Sequence, residues 1–370
     1  MKVRSVLVAI SFGLVASGAL ALSVRPPSTG EQVDALAGLA TVAAGQTEQV
    51  PPHREPPPPP PPPPPAESAA PALAASAPPA PKPKPKPKVQ PAPAAARDID
   101  VYRGLGAWVD LYDYVLRDHI DPVATVDALA RHKVKTLYLQ TSKWNIPGTI
   151  HDPATVTAFL DRAHAKGIWV VAWYVPGFAD LDRDVQRSVG ALEFSTPAGN
   201  RFDGFAPDIE DRREVGGDLQ RFNTGIAEFS RRLRVAIPDA TALGGIVVDA
   251  KNNERAPAKW AGFPWQTVGE TYDVIMPMAY WSVTKSRCAT TYDAEAYITD
   301  VVVKTQALMG RQRPMHPIGG IADCISGDEV AAFVRGSRKL GAVGLSLYDF
   351  ATTEANGEGD RMWRELRSEG

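Results

Sequence analysis

The stretch IWVVAWYV, Ile168 to Val175, carries the clearest information about the fold, because every residue in it is apolar or aromatic. A strand with apolar side chains on both faces is typical of a parallel sheet that is covered by helices on both sides. Seven similar stretches occur downstream of residue 103. Together with 168–175, the predicted strands are 104–110, 135–141, 204–210, 243–250, 273–281, 316–323 and 343–350.

Amphipathic segments separate these predicted strands. The segments 121–134 and 152–167 both begin with Asp-Pro, in which the aspartate can cap a helix and proline suits the first helical position. Gly167 is a predicted C-cap. Apolar residues also recur at helical spacing in 222–238, 293–308 and 327–341.

Eight strands that alternate with helices over about 250 residues predict an α/β protein with a (β/α)8 TIM barrel. The alternative is a doubly wound open sheet. No G-x-G-x-x-G follows the first predicted strand, and no G-x-x-x-x-G-K-[ST] occurs anywhere in the sequence. The sequence therefore favours the barrel, which we place at residues 98–370.

The first 25 residues predict export, because the basic start MKVR precedes an apolar run from Ser5 to Val24. Ala19-Leu20-Ala21 fits a cleavage site, but a run of about 20 residues is also long enough to span a bilayer. A cleaved signal peptide and a retained N-terminal membrane anchor both stay open. We expect a secreted or extracytoplasmic protein, with membrane anchoring at the cell surface as one alternative.

Residues 26–97 predict a disordered linker. This segment holds ten consecutive prolines, Pro56 to Pro65, followed by Ala/Pro-rich sequence and by PKPKPKPK at 81–88. Such a composition cannot build an apolar core and favours extended polyproline II. The simplest interpretation is a stiff spacer between the N-terminal segment and the barrel.

Charge and cysteine content argue against nucleic-acid binding and against a zinc site. The formal net charge of −2 gives no basic field for nucleic acid. The only two cysteines, Cys288 and Cys324, predict one disulfide in an exported protein. No spacing resembles a zinc site, and we predict neither a metal nor a cofactor.

Acidic and aromatic residues recur where the predicted strands end. In a barrel the carboxyl ends of the strands form one rim, and the active site lies there. Carboxylates can serve as acid, base or nucleophile on glycosidic bonds, and aromatic rings stack on sugars. The candidates at this rim are Asp110, Trp144, Tyr174, Asp208, Glu210, Asp249, Tyr280, Trp281, Asp323, Tyr348 and Asp349.

Asp208 and Glu210 are the strongest of these candidates. They are two residues apart in a predicted strand, so their side chains should share a face. Burying two carboxylates costs several kcal/mol unless they are solvated or paired, which usually marks a functional site. In contrast, Asp110 or Asp349 could equally cap a helix or pair with an arginine. Asp211, which precedes two arginines, we interpret as a surface charge.

The stretch DGFAPDIE, Asp203 to Glu210, resembles the fourth-strand motif D-G-x-D-x-D-x-E of family-18 glycoside hydrolases, the chitinases and endo-N-acetylglucosaminidases. YDVIMPMAYW at 272–281 is similar to their sixth strand, and GLSLYDF at 344–350 to their last. The sequence departs from that pattern at four positions. Ala206 replaces the middle aspartate, Pro207 lies within the strand, Trp281 replaces an aspartate and Tyr348 replaces a tryptophan.

The resemblance implies a role for each matching residue. Glu210 would be the general acid, Asp208 would orient the substrate's acetamido group as the nucleophile, and Tyr280 would hydrogen-bond that group. A second mechanism stays open, in which Glu210 is the acid/base and Asp323 the nucleophile of a double displacement. Carboxyls about 5–5.5 Å apart would fit retention, and about 6.5–9.5 Å inversion.

The sequence thus predicts an exported glycoside hydrolase that acts on a polysaccharide such as an amino-sugar polymer of a cell wall. The remaining rim candidates are predicted substrate contacts. Two other classes compete with the enzyme. One is a non-catalytic carbohydrate-binding barrel, favoured by Ala206 and Trp281. The other is a purely structural wall-spanning protein, which leaves the rim unexplained.

Overall fold

The structure is a computed structural model that describes residues 97–284, 288 and 290–368. The predicted signal or anchor segment, and the predicted linker apart from Arg97, lie outside the described residues. Eight parallel strands form a nearly closed barrel, which confirms the predicted fold class. They are β1 Gly104–Val109, β2 Thr136–Lys143, β3 Trp169–Val175, β4 Gly204–Pro207, β5 Gly244–Val247, β6 Val274–Ala279, β7 Ile318–Gly320 and β8 Gly344–Tyr348.

Helices follow the strands and cover the outside of the barrel. Those of six or more residues are α1 Pro122–Arg131, α2 Pro153–Ala165, α3 Leu181–Glu193, α4 Leu219–Ala236, α5 Trp265–Thr271, α6 Ala294–Met309, α7 Gly327–Lys339, α8 Phe350–Ala355 and α9 Gly359–Arg367. The Asp-Pro starts behave as predicted, since Asp121 and Asp152 cap α1 and α2. Gly167 has φ +69 just after α2, which only glycine adopts without strain.

Aromatic side chains fill the centre of the barrel. Trp108 of β1 stacks on Tyr138 of β2 at 4.3 Å and meets the edge of Trp173 of β3 at 5.7 Å. Trp108 Nε1 donates to Ser346 Oγ of β8 at 2.8 Å. The barrel is therefore packed below its rim, and room for a ligand is confined to the carboxyl ends of the strands.

The barrel closes between β4 and β5, where isolated bridges replace a continuous ladder of backbone hydrogen bonds. Only isolated bridges, Phe205 with Leu243 and Asp208 with Ile246, join the two strands. The buried hydroxyl of Tyr102 supplements them. It donates to the carbonyl of Phe205 at 2.9 Å, lies 3.2 Å from the carbonyl of Ala242, and accepts the N–H of Gly244 at 2.9 Å.

Strand β4 is shorter than predicted. It ends at Pro207, although the Asp208 N–H still donates to the Tyr174 carbonyl of β3, and the chain turns from Ile209 onward. Asp208 still makes a bridge to β5, but Glu210 lies in the turn that follows. The pairing of β4 with β3 is regular through Pro207, whereas the register shifts in β2, between Gln140 and Ser142.

A disulfide joins Cys288 and Cys324, as the sequence predicted, with their Cα atoms 4.9 Å apart. Cys324 ends the turn Ala322–Cys324 after β7, and Cys288 belongs to the segment after β6. The bond therefore ties together two loops of the rim. None of the described helices combines the length and the apolar character needed to cross a membrane.

Tyr102→Phe should destabilise the barrel by about 2–4 kcal/mol, because it leaves buried backbone groups of β4 and β5 without their partner. Urea unfolding of both proteins measures the difference. Tyr272→Phe is the matched control. It loses one hydrogen bond, to the Ser230 hydroxyl, and should cost about 1 kcal/mol. Equal losses in the two variants would show that Tyr102 has no special role in closure.

Replacing both Cys288 and Cys324 by serine should lower the unfolding free energy by about 3–4 kcal/mol, since the bond closes a loop of 36 residues in the unfolded chain. Reductant should destabilise the native protein by the same amount and leave the double variant unchanged. Two reactive thiols in the denatured, unreduced protein would refute the pairing.

Candidate active site

Asp208 and Glu210 lie at the rim beyond β4, close enough for the charge of Glu210 to act on Asp208. The backbone N–H of Asp208 donates to the carbonyl of Tyr174 in β3 at 2.9 Å, which fixes this residue against the neighbouring strand. The Asp208 side chain is 9% exposed, and its buried Oδ1 has no hydrogen-bond partner in the described part of the chain. Glu210 is half-buried in the adjoining turn.

Burial dominates the ionisation of this pair. It raises the pKa of Glu210 to about 7, with a further increase from the charge of Asp211 and an opposing effect of Arg213 and Lys143. Burial also raises the pKa of Asp208 well above its usual range, and the charges of Glu210 and Asp211 act in the same direction. The pair therefore retains at least one proton at neutral pH, which is what a general acid needs.

Lys143 is a charged residue of this site that the sequence did not reveal. It is the last residue of β2, is buried, and its ammonium lowers the pKa of both Asp208 and Glu210. The strand was predicted to end at 141, two residues before Lys143. A lysine two residues beyond an apolar strand was the available signal. Lys143 favours ionisation of one carboxyl of the pair.

Asp211 is not a surface charge, and that prediction is wrong. It is 8% exposed and accepts hydrogen bonds from Arg213 Nε at 2.9 Å and from Trp144 Nε1 at 3.0 Å. Arg213 folds back onto it, which compensates the buried carboxylate and holds its pKa below the usual range. Asp211 therefore orients the half-buried ring of Trp144 next to the pair.

Two tyrosines continue the rim on the other side. Tyr280 follows β6, and besides burial the charges of Glu210 and Asp208 raise its pKa, which places its hydroxyl in their field. Its ring lies 5.9 Å from that of Tyr348, the last residue of β8. The Tyr348 hydroxyl donates to Asp110 Oδ2 at 2.5 Å. These contacts link Tyr280, Tyr348 and Asp110 along one arc of the rim.

The structure places the other predicted substrate contacts differently. Tyr174 is fully buried and donates to Asp184 Oδ1 at 2.7 Å, and Trp281 is fully buried with its ring 5.3 Å from Phe333. Neither offers a ring face to a ligand in this structure. Neighbouring residues of a strand point to opposite sides, so an aromatic at a strand end can belong to the core.

Three acids complete the predicted set. Asp249 forms an ion pair with Arg255 at 2.7 Å and accepts the hydroxyl of Tyr297. Asp349 caps α8, which is one of the two roles that the sequence left open for it. Asp323 is exposed in the turn after β7, beside the disulfide.

No protein-family model matches the sequence, and no curated protein matches it. Solved structures match the fold. The spore cortex-lytic enzyme SleL of Bacillus cereus superposes with a TM-score of 0.55 at 10% identity, over 71% of this chain and 73% of that one. A family-18 chitinase of Cycas revoluta in complex with allosamidin gives 0.51 at 13% identity, over 71% and 98%.

A chitinase of Bacteroides thetaiotaomicron also gives 0.51, at 10% identity over 71% of this chain and 96% of that one. At such low identity the likeness concerns the fold. The described domain is thus a distant (β/α)8 barrel of the kind found in family-18 chitinases.

Proposed function

We propose that this protein is an exported glycoside hydrolase that acts on a polysaccharide of amino sugars, with Glu210 as the general acid. The observation that carries the proposal is the carboxyl pair beyond β4, in which Asp208 is buried and Glu210 is half-buried. The pKa of Glu210 is about 7 there, so this group can hold a proton at neutral pH and deliver it.

The chemistry follows the family-18 pattern. Glu210 gives its proton to the leaving glycosidic oxygen while the acetamido oxygen of the substrate bonds to the anomeric carbon. Asp208 orients that acetamido group, and the Tyr280 hydroxyl donates a hydrogen bond to it. Water then opens the cyclic intermediate and returns a proton to Glu210. Lys143 supports the negative charge that Asp208 needs.

The printed names of the structural neighbours support an amino-sugar polymer as the substrate. SleL is a spore cortex-lytic enzyme, and the Cycas revoluta chitinase has been solved with allosamidin and with (GlcNAc)3. The half-buried rings of Trp144, bonded to Asp211, and of Tyr348, next to Tyr280, supply faces at the rim for sugar stacking.

Electrostatics favour this mechanism over a double displacement by Asp323. The acids whose charges raise the pKa of Asp208 are Glu210 and Asp211, and Asp323 is not among them. Asp323 is also exposed. A nucleophile that shared the site with Glu210 would lie within range of the pair.

A carbohydrate-binding barrel without hydrolysis is the second candidate. It is favoured by Asp208 Oδ1, which is buried and has no partner among the described residues. Ala206, whose side chain is fully buried, stands where the family motif has the aspartate that could share a proton with Asp208. For either candidate we propose a location outside the cytoplasm, with the N-terminal segment directing export and the proline-rich segment spacing the barrel from it.

Glu210→Gln should reduce hydrolysis at least about 100-fold while leaving the fold and glycan binding intact, because the amide cannot donate the proton. Chitin, peptidoglycan and α- and β-glucans serve as substrates, and released reducing ends are measured. Exposed Glu193→Gln is the matched control and should keep full activity.

Native activity should fall as the pH rises through about 7, because Glu210 then loses the proton that it donates. Full activity in Glu210→Gln would reject the assignment, and glycan binding without product would favour the second candidate.

The raised pKa of Glu210 can be tested without a substrate. The folded protein holds a proton up to about pH 7, whereas the ordinary value is 4.5, so stability should fall as the pH rises between these values. Glu210→Gln removes this loss. Its melting temperature should match that of the native protein near about pH 4 and exceed it near about pH 8. A variant that is no more stable at the higher pH contradicts the assigned pKa.

A further inference from the structure

Three aspartates form a second buried acidic cluster, on the rim between β1 and β8. Asp110 follows β1, Asp113 lies in the helical turn Tyr112–Leu116, and Asp349 follows β8. Their exposures are 7%, 0% and 2%. One carboxylate oxygen of each lies within 4.8 Å of one from each of the other two.

Only neutral groups donate to these carboxylates in the described part of the chain. Asp110 Oδ1 accepts the N–H groups of Tyr112 at 2.7 Å and Asp113 at 3.0 Å, and Asp113 Oδ2 accepts that of Asp110 at 3.0 Å. Asp349 Oδ1 accepts the N–H and the hydroxyl of Thr352, each at 2.8 Å. These bonds fix the three side chains but leave their charge uncompensated.

One carboxylate oxygen of the cluster accepts no hydrogen bond from the described residues. Asp113 Oδ1 is completely buried and has no hydrogen-bond partner among the described residues. A buried carboxylate oxygen without a donor is costly, and in native structures such an atom usually has an ion or a water against it. This atom points to a ligand in a way that acidity alone does not.

The positively charged side chain near the three aspartates, Arg117, already has an ion-pair partner. Arg117 forms an ion pair with Asp118 at 2.6 Å and acts on Asp110 and Asp349 only from a longer distance. Three ionised carboxylates with oxygens within 4.8 Å of one another require a compensating positive charge.

We propose that Asp110, Asp113 and Asp349 bind a hard divalent cation, Ca²⁺ or Mg²⁺, on the rim between β1 and β8. Carboxylate oxygens are the ligands that both ions prefer, and water completes their coordination. Asp110 would bind the cation and also accepts the Tyr348 hydroxyl. The cation would therefore hold the ends of β1 and β8 together at the rim. This site is separate from the Asp208 and Glu210 pair, and its existence does not depend on hydrolysis.

Calorimetric titration of chelator-treated protein with CaCl2, and separately with MgCl2, tests the proposal. We expect saturable binding of one ion and a matching rise in melting temperature, with choline chloride as the ionic-strength control. Asp113→Asn should lose binding. Its amide oxygen can still accept the Asp110 N–H, so the fold should persist. Asp349→Asn is the second variant; it keeps an oxygen that can cap α8 and should also lose binding. Asp360→Asn, at an exposed position, is the matched control and should retain binding.

Two results would overturn the site. One is the absence of saturable binding for both ions, and the other is equal binding by the native protein and Asp113→Asn. In the first case, greater stability of Asp113→Asn at neutral pH would show that protons shared among the acids replace the cation.

Discussion

Closure of the sheet between β4 and β5 is the constraint on which the candidate site depends. Strand β4 is four residues long and ends at Pro207, so little backbone pairing holds it to β5. The Tyr102 hydroxyl bonds both strands below the rim, and the bridge from Asp208 to Ile246 joins them at the rim. The same short strand end that makes closure weak also carries Asp208 into the mouth of the barrel.

Closure also creates the electrostatic environment of the site. Aromatic rings fill the barrel below the rim, and the buried Asp208 and half-buried Glu210 lose solvation at its mouth. Desolvation then raises their pKa values, while Lys143 limits that rise. The fold therefore gives up stability near neutral pH to hold two desolvated carboxyls with raised pKa values side by side, an exchange common at active sites.

The sequence predicted the eight strands because apolar runs between helices leave few alternatives for a buried parallel sheet. It also predicted the Cys288 and Cys324 pairing. It could not predict which face of a strand end points inward, so Tyr174 and Trp281 were grouped with the rim although both are buried. Contacts between distant residues were equally out of reach, as with Tyr102 across the closure. Asp211 was misread because a neighbouring arginine usually indicates a solvated pair, whereas Arg213 folds back over it.

Carbon-13 NMR titration of the side-chain carboxyls, in the native protein and in Glu210→Gln, tests the central claim most directly. We expect a carboxyl resonance in the native protein that titrates near pH 7 and is missing in the variant. A native spectrum in which the Glu210 resonance titrates at its ordinary value of 4.5 would contradict the claim that the barrel rim holds a protonated acid at neutral pH.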